Sequence, residues 1–413
     1  MSSNALTAAP LPIAPLDEGE RLACLRLIRS ENVGPVTFRE LVNHFGGAAL
    51  ALEALPELAR RGGRRRKIRI CPKADAEAEI DAARRLGAHP LFTIEPGYPA
   101  SLAAIGHPPP MIYAKGRLDL LNKPGIAIVG SRNCSSAGHA FARQLASQLG
   151  DADLVVISGL ARGIDGASHQ AALATGTIAV VAGGLDVVYP PEHDDLHKRV
   201  GELGCIVSEM PPGFKPRGKD FPRRNRIISG MSYGVVIVEA ARRSGTLITA
   251  RFALEQSREV FAVPGHPLDP RAEGTNRLIQ SGATLTTSAA DILDVVRPML
   301  PLPLAPAHHR IVGNPVPAIL PRSSGPLTGT PTGTTTVTAT SAPAGIPSAT
   351  TLGTAERDRV ERALGPAPVH VDELLRSTEL SARQVQISLL ELSLAGRLEH
   401  HGDQMVSLCA AKY

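Results

Sequence analysis

Tryptophan is absent from this 413-residue chain, and aromatic residues make up only 3% of it. Any stacking on nucleic-acid bases must therefore rest on very few rings. The five cysteines, Cys24, Cys71, Cys134, Cys205 and Cys409, are scattered and form no CxxC pair. That excludes a disulfide framework and a zinc site, and it suits a reducing cytosol. No uninterrupted apolar run of about 18 residues occurs, so no membrane span is expected. Pro10, Pro12, Pro15, Asp17 and Glu18 stand near the start instead of a basic segment and an apolar core, so no signal peptide is expected. These absences describe a soluble, cytoplasmic protein.

What is present is a hydrophobic content of 43%, ample for a packed core, and a net charge of +5. The charge is a mild bias towards anionic partners. The length calls for two to four domains. After a loose tail (1–16), apolar residues recur at helical spacing: Leu22, Leu25, Leu27 and Ile28, then Leu41, Val42, Phe45, Leu50, Leu52 and Leu55. Turns at Asn32-Val-Gly-Pro35 and Phe45-Gly-Gly47 make 17–85 a small helical domain, SAM-like or helix-hairpin-helix-like. Seven of the ten residues Arg60–Arg69 are basic around Gly62-Gly63, which reads as a solvated turn or as a contact to backbone phosphate.

Residues 86–300 repeat strand, glycine turn, helix. Short apolar runs stand at Ile126–Val129, Leu154–Ile157, Ile178–Ala182, Cys205–Val207, Val235–Val238 and Val260–Val263, continuous as in strands covered on both faces. Helical stretches between most of them predict a doubly wound parallel α/β sheet, closed by Ala283–Thr287 and a helix at Ala289–Val296. Residues 301–353 hold only two charged residues, Arg310 and Arg322, among Pro, Gly, Thr and Ser, and read as a disordered linker. The last segment, 354–413, has three helical stretches and a hairpin with a Gly-Asp turn, the outline of a winged helix.

Ligands of open parallel sheets sit beyond the carboxyl ends of the strands. Those exits read Gly130-Ser131-Arg132, Ser158-Gly159-Leu-Ala-Arg162-Gly163, Gly183-Gly184, and Arg242-Arg243-Ser244-Gly245-Thr246. Small residues let a phosphate approach the backbone, helix N-termini offer free N–H groups, and arginine adds a bidentate fork. One such turn merely permits a bend; several on one edge make an anion-binding crest. Phe221-Pro-Arg223-Arg224-Asn225-Arg226 opens a helix beside them, with Phe221 as the candidate for base stacking and Glu209 or Asp220 as partners for some of the arginines.

A dinucleotide cofactor is the obvious rival ligand. Gly130-Ser131-Arg132 does not fit G-x-G-x-x-G, and Ser158-Gly159 stands where an acidic ribose ligand is expected. No G-x-x-x-x-G-K-[ST] occurs, so no cofactor and no P-loop chemistry are expected. Asp165 and His169 share a helix face, either as a catalytic pair or as a cap and a hydrogen-bonded structural histidine. Asp186, His193, Asp194 and Asp195 show no metal-ligand spacing, and Asp194 reads as a helix cap. Glu239 is a candidate base, or an acceptor of N–H bonds from the following turn.

At these residues the chain resembles the DNA-processing protein A family (DprA, also called Smf). The likeness runs from about Glu95 to Asp294. It rests on Tyr98-Pro-Ala-Ser-Leu102, Pro108–Tyr113, Gly130-Ser-Arg132, Ser158–Asp165 with His169, Phe221–Ser229, Glu239-Ala with Ser244–Ala250, and Ala262-Val-Pro-Gly265 followed by Gly274-Thr-Asn276. It implies an extended Rossmann-like domain that binds single-stranded DNA, a homodimer, and a role in loading a RecA-type recombinase during natural transformation. It places DNA contacts at Arg132, Arg224, Asn225, Arg226, Arg243, Ser244 and Gly245. Two alternatives remain: a nucleoside monophosphate hydrolase using Glu239, and a regulator whose winged helix reads duplex DNA through Ser381–Ala395.

Overall fold

The structure, a computed structural model, describes residues 16–64, 66–300, 353–401 and 404–409. Most of the expected tail and linker, and the Gly-Asp turn at 402–403, lie outside the described residues. Four helices open the chain: α1 (Glu18–Ile28), α2 (Pro35–Phe45), α3 (Ala48–Arg61) and α4 (Lys73–Arg85). Asp17 caps α1 by accepting the Glu20 N–H at 2.8 Å. Pro35 stands in the first turn of α2, and Gly46, at φ 75°, ends that helix in the left-handed region that glycine adopts without strain. Leu25, Leu27, Phe38, Leu41 and Leu55 form the buried centre. Helix α4 escaped the periodicity reading because only Ala76 and Ala83 of its residues are buried.

The middle of the chain runs β1 (His89–Phe92), α5 (Ala100–Ala103), β2 (Met111–Gly116), β3 (Gly125–Gly130), α6 (Ser136–Asp151), β4 (Val155–Ser158), α7 (Ile164–Ala172), β5 (Thr177–Val180), α8 (Asp194–Leu203) and β6 (Cys205–Ser208). It continues with α9 (Asp220–Gly230), β7 (Gly234–Val238), α10 (Thr246–Glu255), β8 (Glu259–Ala262), α11 (Glu273–Gln280), β9 (Thr284–Leu285) and α12 (Ala289–Val296). These strands form one nine-stranded sheet in the order β1-β2-β6-β5-β4-β3-β7-β8-β9. From β6 to β9 every pairing is parallel, as the continuous apolar runs predict. The outer pair β1 and β2 runs antiparallel to its neighbours, an addition that the sequence pattern missed. The strand β1 is only His-Pro-Leu-Phe, too short and too proline-marked to announce itself. Chain order reverses between β3 and β7, which puts the topological switch point at the ends of those two strands.

The last segment forms α13 (Thr354–Ala363), β10 (Val369–His370), α14 (Val371–Thr378), α15 (Ala382–Leu394), β11 (Leu398–His400) and β12 (Met405–Leu408). This is a three-helix winged-helix outline with a three-stranded sheet. Helix α15 packs on two sides. Val385, Leu389 and Leu392 face the winged-helix core, whereas Leu390 and Leu394 join the core of α1–α3. Asn32 donates to the Leu394 carbonyl at 2.9 Å, and the Thr37 and Ser393 hydroxyls meet at 3.1 Å. Residues Ile387–Leu394 are buried throughout, leaving Ala382, Arg383 and Gln386 exposed. The C-terminal half of the helix that would enter a duplex groove is thus buried, in part against the N-terminal domain.

Gly62 marks that contact. Its φ of −68° suits any residue, but a Cβ there would overlap the backbone carbonyl of Glu391 across the interface. Gly62→Ala is expected to separate the winged helix from the N-terminal helices while both stay folded. Faster amide hydrogen exchange along Ala382–Leu394, with unchanged helix content, is the expected reading. Unchanged protection there would mean that the contact contributes nothing to holding α15.

Candidate nucleic-acid interface

Four segments meet at the switch point: the turn after β3, the turn after β4, the start of α9, and the turn between β7 and α10. They enclose an open cavity of about 780 Å³. Gly130, Ser131, Arg132 and Asn133 line one side, Ala161 and Asp165 the floor, and Phe221, Pro222, Arg224 and Asn225 another side. Arg243, Ser244, Gly245 and Thr246 complete the wall. Of the fourteen residues expected at the site, Ser158, Gly159, Arg223 and Arg226 are absent from this wall, and the reasons differ.

Ser158 and Gly159 are fully buried beneath it. The Ser158 hydroxyl donates to the Ile128 carbonyl at 2.6 Å, stitching β4 to β3. Asp165 accepts the N–H groups of Gly159 (3.1 Å) and Ala161 (3.3 Å), so it wraps the preceding turn where a simple helix cap was expected. Gly163 presses that turn against the first one. At φ 71° it sits in the left-handed region, and a Cβ would overlap the Ser131 carbonyl.

Arg224 is only 7% exposed, although an edge of it reaches the cavity. Its guanidinium donates to the carbonyls of Gly159 and Val180, and to Asn225 Oδ1 at 3.1 Å. A Cβ at Gly159 would stand 2.6 Å from this guanidinium, so glycine there makes room for it. Burial raises the Asp165 carboxyl and lowers Arg224 to about 10, while the attraction between the two works against both shifts. Arg224 is therefore a tie between strand ends, which corrects the expectation that its guanidinium is free for phosphate.

Arg223 and Arg226 are also engaged. Both fork onto Glu209, at 2.9 and 2.8 Å, and Arg226 also donates to the His107 carbonyl at 2.7 Å. That pairing with Glu209 matches the structural role foreseen for some of these arginines. Arg132 and Arg243 are exposed, and among the described residues neither has an ion-pair partner. The loop 213–219 adds Lys215, Arg217 and Lys219, all exposed, while its Pro216 and Gly218 line the cavity. The sequence reading missed this loop; the signal was Lys-Pro-Arg-Gly-Lys, separated only by Asp220 from the Phe-Pro-Arg-Arg-Asn-Arg run. Asp186 holds the loop by accepting the Gly213 N–H at 2.8 Å.

Helix α10 begins at Thr246 with Gly245 as its N-cap; the Thr246 N–H donates to the Ser244 hydroxyl at 3.2 Å, and this positive helix end lines the cavity. Thr246 donates to the Gly130 carbonyl at 3.0 Å, and Ser244 to Thr246 at 3.0 Å, which joins the turns after β3 and β7. Helix α6 differs. The Glu239 carboxylate accepts both the Ser135 N–H (2.9 Å) and the Ser135 hydroxyl. A carboxylate thus occupies the N-terminus where a Rossmann fold would seat a pyrophosphate, and it would repel one. Glu239 holds this post with φ 56°, and its partner is Ser135 rather than the turn that follows it. Both oxygens are engaged, so it is poorly placed to act as a base.

Phe221 stands at the wall with Arg132 above its ring, 5.7 Å from the centroid. Tyr189, unremarked in the sequence, lies 5.1 Å from the Phe221 centroid. His169 is fully buried, and its Nδ1 meets Thr177 Oγ1 at 2.7 Å, on strand β5 rather than on a loop. Because Thr177 donates onward to the Val156 carbonyl, Nδ1 carries the proton. Asp194 begins α8 and pairs with Lys198 at 2.6 Å; the cap position belongs to His193, whose Nδ1 lies 3.1 Å from the Leu160 carbonyl.

Residues 89–297 match the family model described as DNA recombination-mediator protein A. Residues 18–82 match a DprA-like N-terminal HHH domain, and 340–404 a DprA winged helix domain. The DNA processing protein DprA of Streptococcus pneumoniae is 46% identical over 207 residues, 49% of this chain and 73% of the relative. A putative DNA processing protein DprA of Mycobacterium tuberculosis is 35% identical over 291 residues, 69% of each chain. The X-ray structure of the S. pneumoniae protein superposes with a TM-score of 0.57 at 35% identity, covering 68% of this chain and 98% of that one.

Two outcomes follow from the burial pattern. Arg224→Ala leaves Asp165 buried beside two orphaned carbonyls and should cost about 3–5 kcal/mol of stability, whereas exposed Arg243→Ala should stay within about 0.5 kcal/mol; urea unfolding followed by circular dichroism separates them. Burial holds the His169 imidazole down at about 3 from 6.5. Since the unfolded chain takes up this proton first, stability should fall as pH drops from 6.5 towards 3, by up to about 1.4 kcal/mol per unit. His169→Asn should flatten that slope, and an unchanged slope would remove His169 as its source.

Proposed function

The chain belongs to the DNA recombination-mediator protein A family, and we propose that its cleft binds single-stranded DNA, with Arg132 and Arg243 taking backbone phosphates. The observation that carries this reading is the division of the arginines. Arg223, Arg224 and Arg226 are committed to protein acceptors, while Arg132 and Arg243 are exposed and both line the 780 Å³ cavity beside the start of α10. The Phe221 ring lines the same cavity, 5.7 Å from the Arg132 guanidinium, as base contact requires. Lys215, Arg217 and Lys219 extend the positive rim. Gly130, Ser131, Ser244, Gly245 and Thr246 supply the small, close-approach backbone of the turns.

On this reading the protein works as a homodimer in the cytoplasm and hands its strand to a RecA-type recombinase during natural transformation. It needs no cofactor and does no chemistry on the strand. The nucleotide-hydrolase alternative loses its base, because Ser135 engages both Glu239 oxygens. The duplex-reading alternative is weakened, because the C-terminal half of α15 is buried, with Leu390 and Leu394 in the core of the N-terminal helices.

Fluorescence anisotropy with a labelled oligo-dT strand and the matching duplex, across a salt series, tests the proposal. Single-strand preference is expected, with a log–log salt slope of about −0.7 per phosphate, so roughly −1.4 for two contacts and −3.5 if the rim adds three. Arg132→Ala with Arg243→Ala should weaken binding at least about tenfold. Full-strength, equally salt-sensitive binding by this double variant would move the site elsewhere, with the exposed Arg66, Lys67 and Arg69 as the next place to look.

A further inference from the structure

We infer that Tyr189 is a second base-stacking residue of the cleft, forming with Phe221 a two-ring platform that lets the protein select strands whose bases are free. The inference rests on the single-strand reading above and deepens it.

The chain has five tyrosines, eight phenylalanines and no tryptophan. Five of these rings are used in cores: Phe38, Phe92, Tyr98, Tyr113 and Phe261 are all buried. Tyr189 is 48% exposed, the one aromatic among the large, exposed apolar side chains of the described residues. Leaving a ring in water forgoes its burial energy, so this one has a different use or none. Its position points to a use. Tyr189 lines the cavity beside Phe221, its ring centred 5.1 Å away and tilted by 53°. Its hydroxyl has no protein hydrogen-bond partner among the described residues, whereas the hydroxyls of Tyr98 and Tyr113 are both bonded.

The same corner explains how base and phosphate would be read together. The Arg132 guanidinium lies 5.7 Å from the Phe221 ring centre, and the Tyr189 ring 5.1 Å from it. A guanidinium, a ring and a second ring in sequence can receive a phosphate and the faces of two successive bases. Phosphate contacts hold any nucleic acid, duplex included. Bases in a duplex already stack on neighbours on both faces, so rings give affinity only where bases are unstacked. In this protein strand selectivity would come from Phe221 and Tyr189, and affinity from the cations.

The discriminating experiment compares an oligo-dT strand with an abasic strand of equal length, for wild type, Tyr189→Leu and Tyr189→Phe, in full-length protein at fixed salt. Leucine keeps an apolar neighbour against Phe221 but removes the ring face. Wild type should prefer oligo-dT. Tyr189→Leu should lose about tenfold of that preference, with abasic binding and melting temperature unchanged, and Tyr189→Phe should keep it. Full base preference in Tyr189→Leu overturns the inference and leaves Tyr189 as a packing partner of Phe221. Should the leucine variant not fold, photo-cross-linking of wild type to a 5-bromodeoxyuridine strand decides: an adduct on Tyr189 supports the inference, and adducts confined to other residues overturn it. Equal binding of both strands by wild type removes base stacking but leaves the phosphate reading intact. Binding of neither strand removes the single-strand reading itself.

Discussion

The guanidinium of Arg224, closed inside the switch point, donates to the carbonyls where β4 and β5 end and lies under the influence of the buried Asp165. Asp165 in turn gathers the N–H groups of the turn after β4. These two buried side chains, each bonded to backbone, therefore fix that turn, the start of α9 and the floor of the cavity. A buried cation without its acceptors would be far costlier than no cation at all. That asymmetry makes the geometry unforgiving: each member is needed once the others are present. The tight glycines belong to the same device, since Gly159 admits the guanidinium and Gly163 brings the first turn down upon the second.

With the floor held in this way, the remaining charges divide by partner. Glu209 absorbs Arg223 and Arg226, which braces α9 against β6 and the loop at His107. Glu239 sits at the N-terminus of α6 and denies it to a phosphate. The start of α10 carries no carboxylate and lines the cavity together with Arg243 and Arg132. A Rossmann-like sheet thus keeps its switch-point crevice while its usual pyrophosphate seat is filled by its own carboxylate. The anion is invited to a broader, shallower place, which suits a chain of phosphates better than a compact cofactor.

The outer domains show the same economy of surface. Helix α15 serves two cores at once, through Val385, Leu389 and Leu392 on one side and Leu390 and Leu394 on the other. A helix used twice for burial has little surface left for a groove. The winged-helix outline is thereby a docking element towards α1–α3, with Glu391 bonded to Arg357 inside the contact.

Much of this was legible in the sequence. Continuous apolar runs between helical stretches dictate a parallel sheet, because strands covered on both faces cannot alternate. Glycine and serine at the strand ends, with arginine beside them, mark the crest, because only small residues let an anion reach the backbone. The ring of Phe221 stood out in a chain with so few aromatics. Which arginine faces solvent was not legible: Arg223, Arg224, Arg226 and Arg243 are the same residue type, and their partners lie 14 residues away at Glu209, 65 at Gly159, or nowhere among the described residues. Nor could Tyr189 be paired with Phe221, 32 positions on, before the fold brought their turns together. Local pattern determines which elements form and what chemistry they carry. The allocation of charges and rings to core or cleft is a long-range matter, decided only when the strand ends converge.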